Sequence, residues 1–161
     1  MIDKSHLLRA VIRQVEEGLE RLGTGYAVAR QATLDSPHVM KSKREVAGIE
    51  ASYLANALAG QIEERLAWLR TLRGLRLPEA PARVALGSVV GVGPEGGPAT
   101  RHYFLLPVCG GLEVAGEGDA PPVRVITPDT PLARSLIGRA AGEPIASSRP
   151  DASPLVLLLL L

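Results

Sequence analysis

Cysteine is nearly absent from this sequence. The single thiol, Cys109, excludes an internal disulfide and a cysteine-based zinc site. Aromatic residues are also scarce: Tyr26, Tyr53, Trp68, Tyr103 and Phe104 are too few and too scattered to form a base-stacking platform. Neither charge dominates. A net charge of +1 argues against a free-standing DNA or RNA binder, which would carry a strong basic excess. No apolar run approaches the roughly 20 residues of a membrane-spanning helix. The run Leu155–Leu161 has seven residues and reads as a buried last strand. His6, His38 and His102 are too dispersed to form a metal cluster, and no G-x-G-x-x-G after a strand, P-loop, G-x-S-x-G or H-E-x-x-H occurs. The glycines of 91–97 read as a hairpin turn, because no Lys-Ser/Thr pair or helix follows them to cradle phosphate. With no secretory signal evident at the N-terminus, the expected compartment is a reducing cytoplasm.

Glycine and proline are unevenly placed. Residues 1–77 hold six of the 17 glycines and one of the 13 prolines, so the first half is expected to be helical and the second built of strands and turns. In the first half, Leu8, Ile12, Val15, Leu19, Leu22, Tyr26 and Ala29 alternate at spacings of four and three, one seam on a helix that faces a partner helix. A second run, Ile49, Tyr53, Leu58, Ile62, Leu66, Leu69 and Leu72, closes on Arg70, Arg73 and Arg76, then Gly74 and Pro78. Arg65 falls on a strict heptad seam, so either the packing drifts there or the side chain reaches outward. Pro37 disfavours helix at Ser36 and places a turn between the runs. The result is an antiparallel helical hairpin, a coiled-coil finger about 45 Å long at 1.5 Å per residue.

The domain reading is therefore a finger over 1–77, a linker over 78–82 and a small β domain over 83–161. Val84–Val92, His102–Val108 and Val123–Ile126 carry strand character, and Ile145–Ser147 with Leu155–Leu161 would complete an antiparallel sheet. Asp129 or Thr130 caps a short helix with Pro131 in its first turn; Leu132, Leu136 and Ile137 form its buried face, and Gly138 stops it. The fold class is α+β.

These residues carry a resemblance. Val84-Ala85-Leu86-Gly87-Ser88-Val89-Val90, Tyr103-Phe104-Leu105-Leu106-Pro107 with Gly110-Gly111, and above all Val125-Ile126-Thr127-Pro128-Asp129-Thr130-Pro131-Leu132-Ala133-Arg134-Ser135-Leu136-Ile137-Gly138-Arg139 with Gly142-Glu143 resemble the C-terminal domain of the GreA/GreB family of bacterial transcription elongation factors. Gly48–Ala55 resembles the start of the second hairpin helix in a Gre-like subgroup. The resemblance covers 84–143 well and 33–58 loosely. It implies an FKBP-like domain that docks on RNA polymerase, with Thr127, Pro128, Pro131, Leu132, Arg134, Gly138 and Arg139 as the docking block. It also implies a finger that enters the polymerase secondary channel. In cleavage-competent members of the family, acidic residues at the tip help to hold a second Mg²⁺ in the polymerase active site, where it activates water to cut backtracked RNA.

On that reading the chain is not itself an enzyme, has no cofactor or metal of its own, and shares Mg²⁺ with the polymerase only if cleavage-competent. Its expected partners are RNA polymerase and, at the tip, the nascent RNA 3′ end, with no membrane and no independent DNA binding. The tip departs from the family pattern. Asp35 is followed by no acid until Glu45, with His38, Lys41, Lys43 and Arg44 between. Asp35 is either a metal-holding carboxylate or a turn and cap residue before Ser36-Pro37. Glu45 is either a tip carboxylate or an ordinary helix residue. Lys41, Lys43 and Arg44 oppose a cation by Coulomb repulsion but suit RNA phosphates or acidic polymerase surfaces. A factor that occupies the channel without cleaving, a coiled-coil adaptor unrelated to polymerase, and a prolyl isomerase or peptide binder are the competing readings. The last is weak, because Tyr103 and Phe104 alone cannot line an aromatic pocket.

Overall fold

A computed structural model describes residues 2–35, 43–116, 121–145 and 155–161. Two helices, α1 (Lys4–Leu34) and α2 (Lys43–Arg73), form an N-terminal hairpin. They precede strands β1 (Val89–Pro94), β2 (Arg101–Leu105), β3 (Glu113–Val114) and β4 (Val123–Ile126), helix α3 (Pro131–Leu136), and strands β5 (Pro144–Ile145) and β6 (Leu155–Leu160). The architecture is α+β. The chain resolves into two compact units, one of Met1–Val11 with Thr71–Leu161 and the other of Ile12–Arg70.

The hairpin seam differs from the one the sequence spacing suggests. On α1 the fully buried positions are Leu7 and Val11, in the unit that contains the sheet, and Val15 and Ala29 in the other, while Leu8, Ile12, Leu19, Leu22 and Tyr26 are half-buried. On α2 Ala55 and Leu69 are buried and Leu58, Ile62 and Arg65 half-buried, with Leu72 buried further on. These positions keep three-four spacing, whereas Ile49, Tyr53 and Leu66 are exposed. Hydropathy ranked residues by type, but burial follows the stripe that meets the other helix. Arg65 resolves its own ambiguity: its guanidinium lies 4.0 Å from the centre of the Trp68 ring, so the cation stacks on an aromatic face instead of leaving the seam.

In the other unit the strand order is β3-β4-β2-β1-β6-β5. The sheet is mixed, not the antiparallel one expected. β2 and β4 are parallel, with His102 opposite Val123 and Leu105 opposite Ile126, while the remaining pairs are antiparallel. A parallel pair needs a crossover of a dozen or more residues, and the segment 106–122 is long enough to provide it. β1 begins only at Val89. Before it, Val84 is buried and bonded instead to the end of α3, its N–H donating to Arg139 (2.8 Å) and its carbonyl accepting from Gly138 (2.9 Å). Gly93 lies within β1, where a Cβ would collide with the Pro98 carbonyl, so the glycine permits close approach of the turn rather than the binding of an anion.

Alternation along β2 places Phe104 fully inside on one face and Tyr103, half-buried, on the other. Tyr103 packs against the cluster of Val84, Val90, Val92, Leu105, Leu136 and Leu157. Opposite Phe104, Val89 is also buried, as is the neighbouring Val125 on β4, so both faces of the sheet are covered. The apolar tail is β6, seated between β1 and β5, with a register shift against β1 at Gly91/Val92. Of the strand expected at 145–147, Ile145 pairs in β5 and residues 146–147 lie outside the described residues. No helix among the described residues is long and apolar enough to cross a membrane.

Candidate functional site

The region of the T-P…T-P-L…G-R block is shaped by caps. Thr127 and Pro128 leave β4 in a turn that the Thr130 N–H closes on the Thr127 carbonyl (3.0 Å). The Thr130 hydroxyl then donates to that same carbonyl (2.9 Å) and accepts from the Ala133 N–H (3.2 Å), so Thr130 is the N-cap and Asp129 is not. Pro131 occupies the first turn, where its missing N–H costs nothing. Gly138, at φ +81°, ends the helix in a backbone conformation that favours glycine.

Helix α3 buries Ala133 and Leu136; Leu132 is half-buried and Ile137 is 44% exposed, which corrects the expectation that Ile137 faces inward. A six-residue helix turns only about once and a half at 3.6 residues per turn, so the chain has already left the helical path at Ile137, whose ψ is 131°.

The seven expected docking residues therefore divide by what they touch. Thr127 carries the turn and packs beside Gly110, and Pro128 is half-buried. Arg139 is committed: its Nε donates to the Ser135 carbonyl (2.6 Å) and its Nη1 lies 3.8 Å from Glu143. Arg83 completes this cluster, donating to the Gly138 carbonyl (2.8 Å) and approaching Glu143 at 3.4 Å. Nothing in the sequence signalled Arg83, because it lies far along the chain from both partners. Pro131 and Arg134 are exposed on α3, and Ile137 and Gly138 are exposed just past its end. That surface combines one cation with apolar atoms and contains no nucleophile or base.

At the other candidate site, Asp35 stands exposed just past the end of α1. Its N–H donates to the Gln31 carbonyl (2.9 Å), and its carboxylate accepts from the Gln31 amide (2.8 Å), one helical turn back. This is the conduct of a residue that finishes a helix. Lys41 lies outside the described residues, and so do His38 and the side chains of Lys43, Arg44 and Glu45 at the start of α2. Among the described residues no three His, Cys, Asp or Glu side chains gather as a metal site.

Two further features lie in the unit that contains the sheet. A groove of about 960 Å³ runs among Lys4, Leu8, Arg9, Leu77, Pro78 and Glu79. The Lys4 ammonium donates to the carbonyls of Pro78 and Glu79; burial lowers its pKa, partly offset by the Glu79 charge. Buried His102 keeps its Nδ1 without a hydrogen-bond partner, and burial holds its pKa below the usual histidine value.

No family model matches the sequence, and no curated protein matches it. Among solved structures, the chain is similar to GreA factor homolog 1 (Gfh1) of Thermus thermophilus at a TM-score of 0.37 and 17% identity, covering 93% of this chain and 94% of that one. The Thermus aquaticus Gfh1 gives 0.37 and 16%, with 94% of each chain covered.

Proposed function

We propose that this chain is a Gre-like factor that binds RNA polymerase in the cytoplasm, docking through the outer side of α3 and inserting the helical hairpin into the secondary channel. The observation that carries this reading is a single chain joining a hairpin of two 31-residue helices to a sheet whose T-P…T-P-L…G-R block folds as a capped, outward-facing α3. Pro131, Arg134, Ile137 and Gly138 supply the docking surface, while Thr127, Thr130, Arg139 and Glu143 hold it in shape. Arg134 suits an acidic patch, and Ile137 supplies apolar area beside it. A pull-down of polymerase by the full-length chain tests the proposal. Loss of binding in Arg134→Glu, with unchanged thermal unfolding, is expected. Absence of binding by the unaltered chain would sink the idea.

Between the two Gre-like modes, the geometry of Asp35 favours occupancy of the channel without stimulation of cleavage. Its carboxylate is engaged by Gln31. A Mg²⁺ ion taking part in cleavage would be held chiefly by the polymerase, with Asp35 able to add one carboxylate oxygen to its shell. The discriminating measurement is the length of RNA in a backtracked elongation complex. Unchanged lengths, together with competition against a cleaving factor, are expected. Shortened RNA that Asp35→Ala restores to full length would instead establish cleavage and give Asp35 its metal-holding role.

A further inference from the structure

Helix α2 carries two stripes. The inward one runs through Ala55, Leu58, Ile62 and Arg65. On the opposite side of the helix lie Val46, Ile49 and Tyr53, again at spacings of three and four, and they are 51%, 52% and 72% exposed. Among the described residues none covers this apolar stripe, and an unsatisfied stripe of this kind marks an interaction surface. Further along the same face the bulk disappears. The next positions are Ala57 and Gly60, both exposed, and a Cβ built on Gly60 would meet no atom within 4 Å. One half of the face is therefore a row of projections and the other half a shallow hollow.

The two halves complement each other about Tyr53. If a second copy of α2 lies antiparallel with the two-fold axis beside Tyr53, Val46 falls over Gly60 of the other copy and Ile49 over its Ala57, and the two tyrosines meet at the centre. Each relation occurs twice, as an isologous interface requires. The same register brings the first residue of α2, Lys43, level with the acidic pair Glu63-Glu64 of the second copy, which are exposed. Parallel pairing would stack bulk on bulk and hollow on hollow, and like charge on like.

We propose that the protein associates with a second copy of itself through the outward face of α2, antiparallel and centred on Tyr53. This inference is independent of the polymerase reading. A dimer would cover the outward face of α2, so self-association and use of that face by another partner are mutually exclusive.

Sedimentation of the full-length chain over a concentration series tests it, with a monomer–dimer equilibrium expected. Tyr53→Glu should weaken dimerisation at least tenfold. Gly60→Leu should do the same while leaving the helix at least as stable, because it fills the hollow on an exposed helical face; this separates loss of the interface from loss of the fold. Cysteine cross-linking fixes the register, since the native Cys109 is buried. Tyr53→Cys is expected to form a disulfide-linked dimer, Val46→Cys alone is not, and the double variant Val46→Cys/Gly60→Cys is. A monomer at every concentration, a dimer indifferent to Gly60→Leu, or cross-linking of Val46→Cys alone as readily as Tyr53→Cys would each overturn the proposal.

Discussion

The two units solve the burial problem differently. In the sheet unit, Val89, Val90, Phe104, Leu105, Leu106, Val123, Val125, Leu136 and Leu157 are all sealed from water. In the hairpin unit the buried apolar side chains are Val15, Ala29, Ala55 and Leu69, whereas Val28, Leu34, Val46, Ile49, Tyr53, Leu54 and Leu66 are exposed. Two helices offer each other one stripe apiece, whereas a sheet covered on both faces encloses its residues on every side. Stability should therefore concentrate in the sheet unit and surface available for partners in the hairpin.

The largest test of this contrast is a pair of truncations followed by chemical denaturation. Phe104→Ala should cost about 3–5 kcal/mol, whereas Leu58→Ala, at a half-buried seam position, should cost less than the ~2 kcal/mol at the low end for a fully buried leucine. Equal costs would erase the distinction. Next in size is Thr130→Ala, which removes the cap of α3 and its bond to Thr127; a loss of about 1 kcal/mol in unfolding free energy is expected, and, on the proposed function, weaker polymerase binding as α3 frays.

Acidification probes a buried histidine of the sheet unit. Burial lowers the His102 pKa, so the unfolded chain takes up a proton at about pH 6.5 while the folded one still resists. The contribution of His102 is therefore present above about pH 6.5 and lost as pH falls below it, and His102→Leu should flatten that slope in urea titrations. The smallest expected effect lies in the hairpin: a double-mutant cycle on Arg65 and Trp68 should return a coupling of about 0.5–1 kcal/mol. A coupling near zero would mean that the cation adds nothing to the seam.

Legibility followed the range of the interactions involved. The capped turn before α3, the termination at Gly138 and the placement of Val123–Ile126 in a strand were readable, because each depends on residues within a few positions of one another. The parallel pairing of β2 with β4 was not, since strand character says nothing about which neighbour a strand takes. The T-P…T-P-L…G-R block was legible as a motif, but which of its side chains face solvent was not: Arg139 turned out to be bound to Ser135 and Glu143, with distant Arg83 beside them, while Ile137, expected inside, is exposed. At the hairpin tip, Asp35 was correctly found just beyond a helix, but its bond to Gln31 depends on a rotamer that composition does not encode.

By itself the sequence determined that a glycine-poor helical half precedes a glycine- and proline-rich strand half, because helix propensity and turn chemistry are local properties of the chain. Only the tertiary structure decided which apolar residues are spent on the fold. Ile49 is the same residue type as the seam's Ile62, yet it stands outside, because burial requires a facing surface and α1 covers only one side of α2.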